Sequence, residues 1–277
     1  MENIRQAVER ARTAQGGARP SISAGPPGAG LPRPGDVGGG YTVGADFQEV
    51  VLNPARLPAR RIVAHNGADL HSRPFDMLRT QLLQAMDLKG WKIVGITSPT
   101  PGCGKTLTAI NLALSIARQP ERSVMLADFD LRKPKLAAYL GLDAADDGVL
   151  GILGARTVLS DAVISVRVGN YRFPLLPTAA TAESSELMAS RAMSELMREI
   201  RRDFYSNVVI IDLPPILTSD DVIAILPQID CVLLVAAAGL SKTAEIVECT
   251  KHLQSTDVVR VVLNKATESG SHNYYYS

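Results

Sequence analysis

Ser98-Pro99-Thr100-Pro101-Gly102-Cys103-Gly104-Lys105-Thr106 is the stretch that decides how this chain folds. Lys92-Ile93-Val94-Gly95-Ile96-Thr97 before it reads as a buried strand, and 107–118 after it as a helix with a small-residue packing face. A loop between such a strand and helix turns backbone N–H groups inward and sets a helix N-terminus against an anion. Lys105 adds a point charge for outer phosphates, and the Thr106 hydroxyl is a ligand for a magnesium ion. Pro101, Gly102, Cys103, Gly104, Lys105, Thr106 and Leu107 are therefore the candidate nucleotide-binding set. The general template asks for glycine five residues before Gly104, where this chain has Pro99; the strand and helix on either side restore the match.

The 277 residues can hold one large domain or two small ones. A hydrophobic content of 46% and a formal charge of +1 suit an ordinary soluble core and give no electrostatic case for nucleic acid. Cys103, Cys231 and Cys249 have no metal-ligand spacing and fit a reducing compartment. The apolar runs fall short of membrane-spanning length, and the N-terminus has no apolar signal-peptide core. A cytoplasmic protein is expected.

Residues 1–15 place Ile4, Ala7, Val8 and Ala11 on one helical face, which reads either as a short frayed helix or as a docking helix. Residues 16–45, rich in Gly, Pro, Ala and Ser, read as a disordered linker. The folded domain is expected over 46–266, followed by a flexible tail over 267–277. Aliphatic runs at 92–97, 123–127, 173–177, 207–211, 231–236 and 258–263 alternate with helical stretches. Runs apolar on both faces fit a mostly parallel, doubly wound α/β sheet with helices on either side. The segment 186–204 reads as one helix, with Leu187, Met193, Leu196, Met197, Ile200 and Phe204 inward and Arg198, Arg201 and Arg202 on a solvated face.

Two of these strands end in carboxylates, as Val124-Met125-Leu126-Ala127-Asp128-Phe129-Asp130-Leu131-Arg132 and Val208-Val209-Ile210-Ile211-Asp212-Leu213-Pro214-Pro215. Ligands of open parallel sheets sit beyond the carboxyl ends of strands. Asp128 and Asp212 are thus candidates to organise the magnesium, with Thr106, or simply to cap the next helix. Asp130, two residues on, points the same way as Asp128 in extended chain. Arg132 either contacts phosphate or anchors a carboxylate.

Taken together, Pro-Gly-x-Gly-Lys-Thr, Asp-x-Asp-x-Arg and Asp-x-Pro-Pro resemble the bacterial tyrosine kinases of capsule and exopolysaccharide synthesis, in their stand-alone cytoplasmic form. In that family these are the Walker A, A′ and B motifs of a P-loop NTPase fold. The resemblance extends to Leu131-Arg132-Lys133-Pro134, Ser185-Glu186-Leu187, Asp221 and Leu263-Asn264-Lys265. It implies ATP and Mg2+ as cofactors, Lys105, Asp128, Asp130 and Asp212 as catalytic residues, and Asn264 near the adenine. The septum-positioning and plasmid-partition ATPases on the same fold carry a lysine where this chain has Thr100, and a glycine where it has Pro101.

The chain ends His272-Asn273-Tyr274-Tyr275-Tyr276-Ser277. The family resemblance makes Tyr274, Tyr275 and Tyr276 the expected autophosphorylation acceptors, with Asp128 or Asp130 taking the phenol proton. It also implies a membrane polysaccharide co-polymerase in a separate chain, recruitment to the inner membrane face, a homo-oligomer and a cognate tyrosine phosphatase. The family's ring-closing Glu-x-x-Arg-x-x-Arg is changed here to Arg73, Asp76 and Arg79, which leaves the assembly open. Cys103 in the loop is either redox-sensitive or simply turned away from the ligand. The competing reading is a nucleotide-gated adaptor of the membrane partner without kinase activity.

Overall fold

The computed structural model describes residues 47–142, 147–203 and 208–266. The expected N-terminal helix and linker, and the tail with Tyr274, Tyr275 and Tyr276, lie outside the described residues. One eight-stranded sheet organises the described chain. Its strands are β1 (Glu49–Leu52), β2 (Ile93–Thr97), β3 (Val124–Asp128), β4 (Ile164–Val168), β5 (Tyr171–Leu176), β6 (Val208–Asp212), β7 (Cys231–Ala237) and β8 (Asp257–Asn264). They lie in the order β1-β4-β5-β3-β6-β2-β7-β8. All neighbours are parallel except the β4–β5 hairpin.

The central strands are buried on both faces, which is why their sequences are continuous apolar runs rather than alternations. Val94, Ile96, Val124, Leu126, Val208, Ile210, Leu233 and Val235 pack toward one core. Their neighbours Ile93, Met125, Ala127, Val209, Ile211, Val232 and Leu234 pack toward the other. The first core is covered by the helices Arg73–Lys89 and Lys105–Ala117, the second by Arg191–Asp203 and shorter helical turns. Buried Asn111, in the middle of the helix Lys105–Ala117, spends its whole amide on backbone. Its Oδ1 accepts from Val63 and Ala64 N–H, and its Nδ2 donates to the Arg61 and Leu107 carbonyls. That satisfies an otherwise costly buried amide and fixes 61–64 along the helix that begins the phosphate loop's far side.

Three features depart from the sequence expectations. The strands β1 and β4 were absent from them. The helix expected over 186–204 is two, Ser184–Met188 and Arg191–Asp203. Ser190 breaks it, because its Oγ accepts from the Met193 N–H and caps the second helix. Arg201 is not on a purely solvated face. Its two terminal nitrogens grip Asp230 at 3.1 and 2.8 Å, and Asp230 in turn accepts from the Lys92 and Ile93 N–H at the start of β2.

Asp76, one of the two reversed-sign positions of the ring-closing motif, is committed inside the domain. Its carboxylate receives Arg118 Nη1 at 2.9 Å, Arg79 Nη1 at 3.3 Å and the Ser115 hydroxyl. The network ties helix Arg73–Lys89 to the end of helix Lys105–Ala117.

Candidate functional site

Strand β2 ends at Thr97, whose hydroxyl donates to the Pro214 carbonyl at 2.6 Å. The loop then turns with Gly102 at φ 85° and Gly104 at φ 97°, backbone that only glycine takes without strain. At Gly104 the space is filled as well, since an added Cβ would lie 2.2 Å from Asn264 Nδ2. Gly104 is the N-cap of helix Lys105–Ala117, and no side chain caps that end. The first-turn N–H groups, including that of Leu107, have no acceptor within the helix and remain for an anion. Asn264, expected near the adenine, lies against the phosphate loop. It braces the loop, donating from Nδ2 to the Cys103 carbonyl at 2.9 Å. Cys103 is buried, with its sulfur 3.4 Å from Ser241 Oγ.

Lys105, only 8% exposed, folds back over the carboxylates. Its Nζ lies 2.9 Å from Asp130 Oδ2 and 3.4 Å from Asp212 Oδ1. The Thr106 hydroxyl donates to Asp212 Oδ2 at 2.6 Å. Asp128 and Asp212 are direct partners in the β3–β6 register, so two buried carboxylates stand side by side. Burial, reinforced by the Asp212 charge, pushes the Asp128 carboxyl up to about 7. Burial likewise raises that of Asp212, against the pull of Lys105 and the Thr106 hydroxyl. Burial alone would lower the Lys105 ammonium, but Asp212, Asp130 and Asp128 together raise it.

The two strand-end aspartates are held differently. Asp128 spends both oxygens on backbone: Oδ1 accepts from Asp130 N–H, and Oδ2 from Lys135 and Leu136 N–H at 3.0 and 2.9 Å. It caps the loop after β3. Asp130, expected on the same side as Asp128, acts with it on the Lys105 ammonium, although its own bonds differ. The Asp130 carbonyl and Oδ1 both take the Lys133 N–H, and Oδ2 is left to Lys105. Arg132, expected at phosphate or at a carboxylate, reaches two hydroxyls and a carboxylate. Its Nε donates to Ser184 Oγ at 2.6 Å and its Nη2 to Ser185 Oγ at 2.9 Å, with Nε 3.5 Å from Asp221 Oδ2. Ser184 was not singled out from the sequence, although it adjoins the Ser185-Glu186-Leu187 run that was.

Three buried carboxylates face one buried ammonium. A divalent cation fits such a pocket. Among the described residues no group of three acidic, histidine or cysteine side chains is placed to hold a metal ion by itself. Thr106 and Asp212 offer hard oxygen donors, the type magnesium takes alongside phosphate and water.

Over residues 80–277 the chain matches the CbiA family, described as the CobQ/CobB/MinD/ParA nucleotide binding domain. EpsB of Ralstonia nicotianae is 36% identical over 204 residues, covering 72% of this chain and 26% of that protein. This chain thus spans about a quarter of the length of that relative. The tyrosine-protein kinase YwqD of Bacillus subtilis is 27% identical over 232 residues, covering 80% of this chain and 93% of that one. The kinase domain of the Escherichia coli tyrosine kinase ETK aligns with a TM-score of 0.67 at 26% identity, over 76% of this chain and 81% of that one. With the phosphate loop, the paired strand-end aspartates and this match, the chain belongs to the CobQ/CobB/MinD/ParA nucleotide-binding family.

Proposed function

We propose that the chain is a magnesium-ATP-dependent protein-tyrosine autokinase acting in exopolysaccharide or capsule assembly. The observation that carries this reading is the Lys105 ammonium poised between Asp130 and Asp212, beside a Thr106–Asp212 bond of 2.6 Å. The similarity to named tyrosine kinases narrows the reaction from nucleotide binding to phosphoryl transfer.

In this reading the loop N–H groups from Gly102 to Leu107 and the Lys105 ammonium bind the β- and γ-phosphates. Thr106, Asp212 and Asp128 would hold the magnesium, which would supply charge neutralisation for the transferring phosphoryl group. A tyrosine hydroxyl attacks the γ-phosphorus, the bond to the ADP oxygen breaks, and the phenol proton passes to a carboxylate. Asp130 suits that role better than Asp128. Its Oδ2 is bonded to Lys105, which the phosphates draw away, whereas both Asp128 oxygens stay engaged by backbone N–H.

Tyr274, Tyr275 and Tyr276 are the proposed acceptors. A membrane polysaccharide co-polymerase in a separate chain is the proposed partner, with the domain recruited from the cytoplasm. No helix among the described residues is long and apolar enough to cross a membrane.

Tandem mass spectrometry after incubation with magnesium-ATP tests the reading, with the partner's cytoplasmic segment present or absent and a Lys105→Met control. Phosphate on Tyr274–Tyr276 that disappears in the control is the expected result. Tight ATP binding without any phosphotyrosine under either condition would leave the adaptor reading instead.

A further inference from the structure

We propose that Ser185 and Asp221 are positioning residues that hold Asp130 opposite Lys105 by fixing Arg132, two residues along the same loop. The inference rests on the kinase reading for its chemistry and on the contacts around Arg132 for its geometry.

The loop after β3 closes on itself through Asp128 and Asp130, which take the N–H groups of Asp130, Lys133, Lys135 and Leu136. Those bonds set the loop's shape but do not fix its place against the rest of the site. Its outward anchors are the Phe129 N–H, which donates to the Asp212 carbonyl at 2.9 Å, and the Leu131 carbonyl, which accepts from Thr181 N–H at 2.8 Å. The buried Phe129 and Leu131 side chains anchor it too, as does, on the far side of Asp130, the Arg132 guanidinium. Arg132 is half-exposed, so only its partners decide where it stays.

Ser185 Oγ is the hub of those partners. It accepts from Arg132 Nη2 at 2.9 Å and lies 2.6 Å from both Asp220 Oδ1 and Asp221 Oδ1. A hydroxyl has one proton, so it can donate to only one of the two carboxylates at a time. Asp221 is fully buried, and its Oδ2 has no hydrogen-bond partner. What compensates that oxygen is the Arg132 charge 3.5 Å away. The guanidinium is therefore drawn to one place by an anion that has few other partners.

The same circuit returns to the phosphate loop. Asp221 lies at the end of the segment leaving Asp212, and that segment is stitched to the loop entry. Ile216 N–H donates to the Ser98 carbonyl and Leu217 N–H to the Pro99 carbonyl, at 2.9 and 3.2 Å. Ser98-Pro99, the segment to Asp221, Ser185, Arg132, Asp130 and Lys105 thus form a closed ring of contacts. Small displacements of a reacting group can cost about a hundredfold in rate, so a ring that fixes Asp130 bears on turnover more than on binding.

The test uses the full chain with Ser185→Ala, Asp221→Asn and the conservative Ser185→Thr. Hydrogen exchange at the Asp130 and Lys133 amides should quicken about tenfold in the first two variants and stay near wild type in the third. Their kcat for phosphoryl transfer should fall about tenfold while magnesium-ATP affinity stays within about twofold. Unchanged exchange at those amides in both variants would overturn the proposal. So would a loss of affinity that matches the loss of kcat, because the pair would then support the nucleotide pocket as a whole. A wild-type chain that transfers no phosphate would sink the kinase reading, and the exchange measurement would still decide this one.

Discussion

Asp128 and Asp212 end adjacent strands, face each other in register, and are equally lost to solvent. From sequence they are the same signal, a carboxylate after an apolar run. The structure gives them different work. Asp212 turns to the side chains of the phosphate loop, Lys105 and Thr106. Asp128 turns to its own backbone and shapes the loop that carries Asp130 and Arg132. A strand-end aspartate therefore marks the crevice, while its hydrogen-bond partners decide whether it serves ligand or loop.

The contrast can be broken in several ways. Lys105→Met removes the cation that Asp212 and Asp130 share, and phosphoryl transfer should fall about a hundredfold or more in a radiolabelled-ATP assay. Transfer within about tenfold of wild type would mean that the ammonium is not what the Asp212 side of the pair is built around. Gly104→Ala places a Cβ against Asn264 and strains a backbone at φ 97°. ATP affinity by titration calorimetry should drop about tenfold, with the Asp128 loop unaffected.

A smaller effect reports on Asp128 through pH. The Asp128 carboxyl stands at about 7 in the fold and near 3.8 when unfolded. Between these values the folded state holds the extra proton, so stability is full below about 4 and declines as pH rises toward 7. Asp128→Asn should flatten that decline in urea titrations of the nucleotide-free protein across this range. An unaltered slope would show that Asp128 is not the group responsible.

Much of this was legible in the chain itself. The loop with Gly102, Gly104, Lys105 and Thr106, and the strand ends at Asp128 and Asp212, are local patterns with fixed spacing, so the parallel sheet and crevice followed from them. What escaped has physical reasons. Strand β4 alternates polar and apolar residues, as a strand beside an edge does, and β1 is four residues long and pairs only with it. The Gly169-Asn170 turn between two alternating runs was the available hairpin signal. Ser190 was the available cap signal inside the long helical pattern. Two of the three partners of Asp76, by contrast, lie at Ser115 and Arg118, a separation that no local pattern reports. The direction of each aspartate's hydrogen bonds is likewise a tertiary fact, invisible in an apolar run ending in Asp.

The most direct test compares Asp212→Asn with Asp128→Ala in one hydrogen-exchange and phosphoryl-transfer experiment. The account predicts that Asp212→Asn loses transfer about a hundredfold while the Asp130, Lys135 and Leu136 amides stay protected. Asp128→Ala should lose that protection. Transfer that survives Asp212→Asn, or amides that stay protected in Asp128→Ala, would contradict the division of labour between the two aspartates.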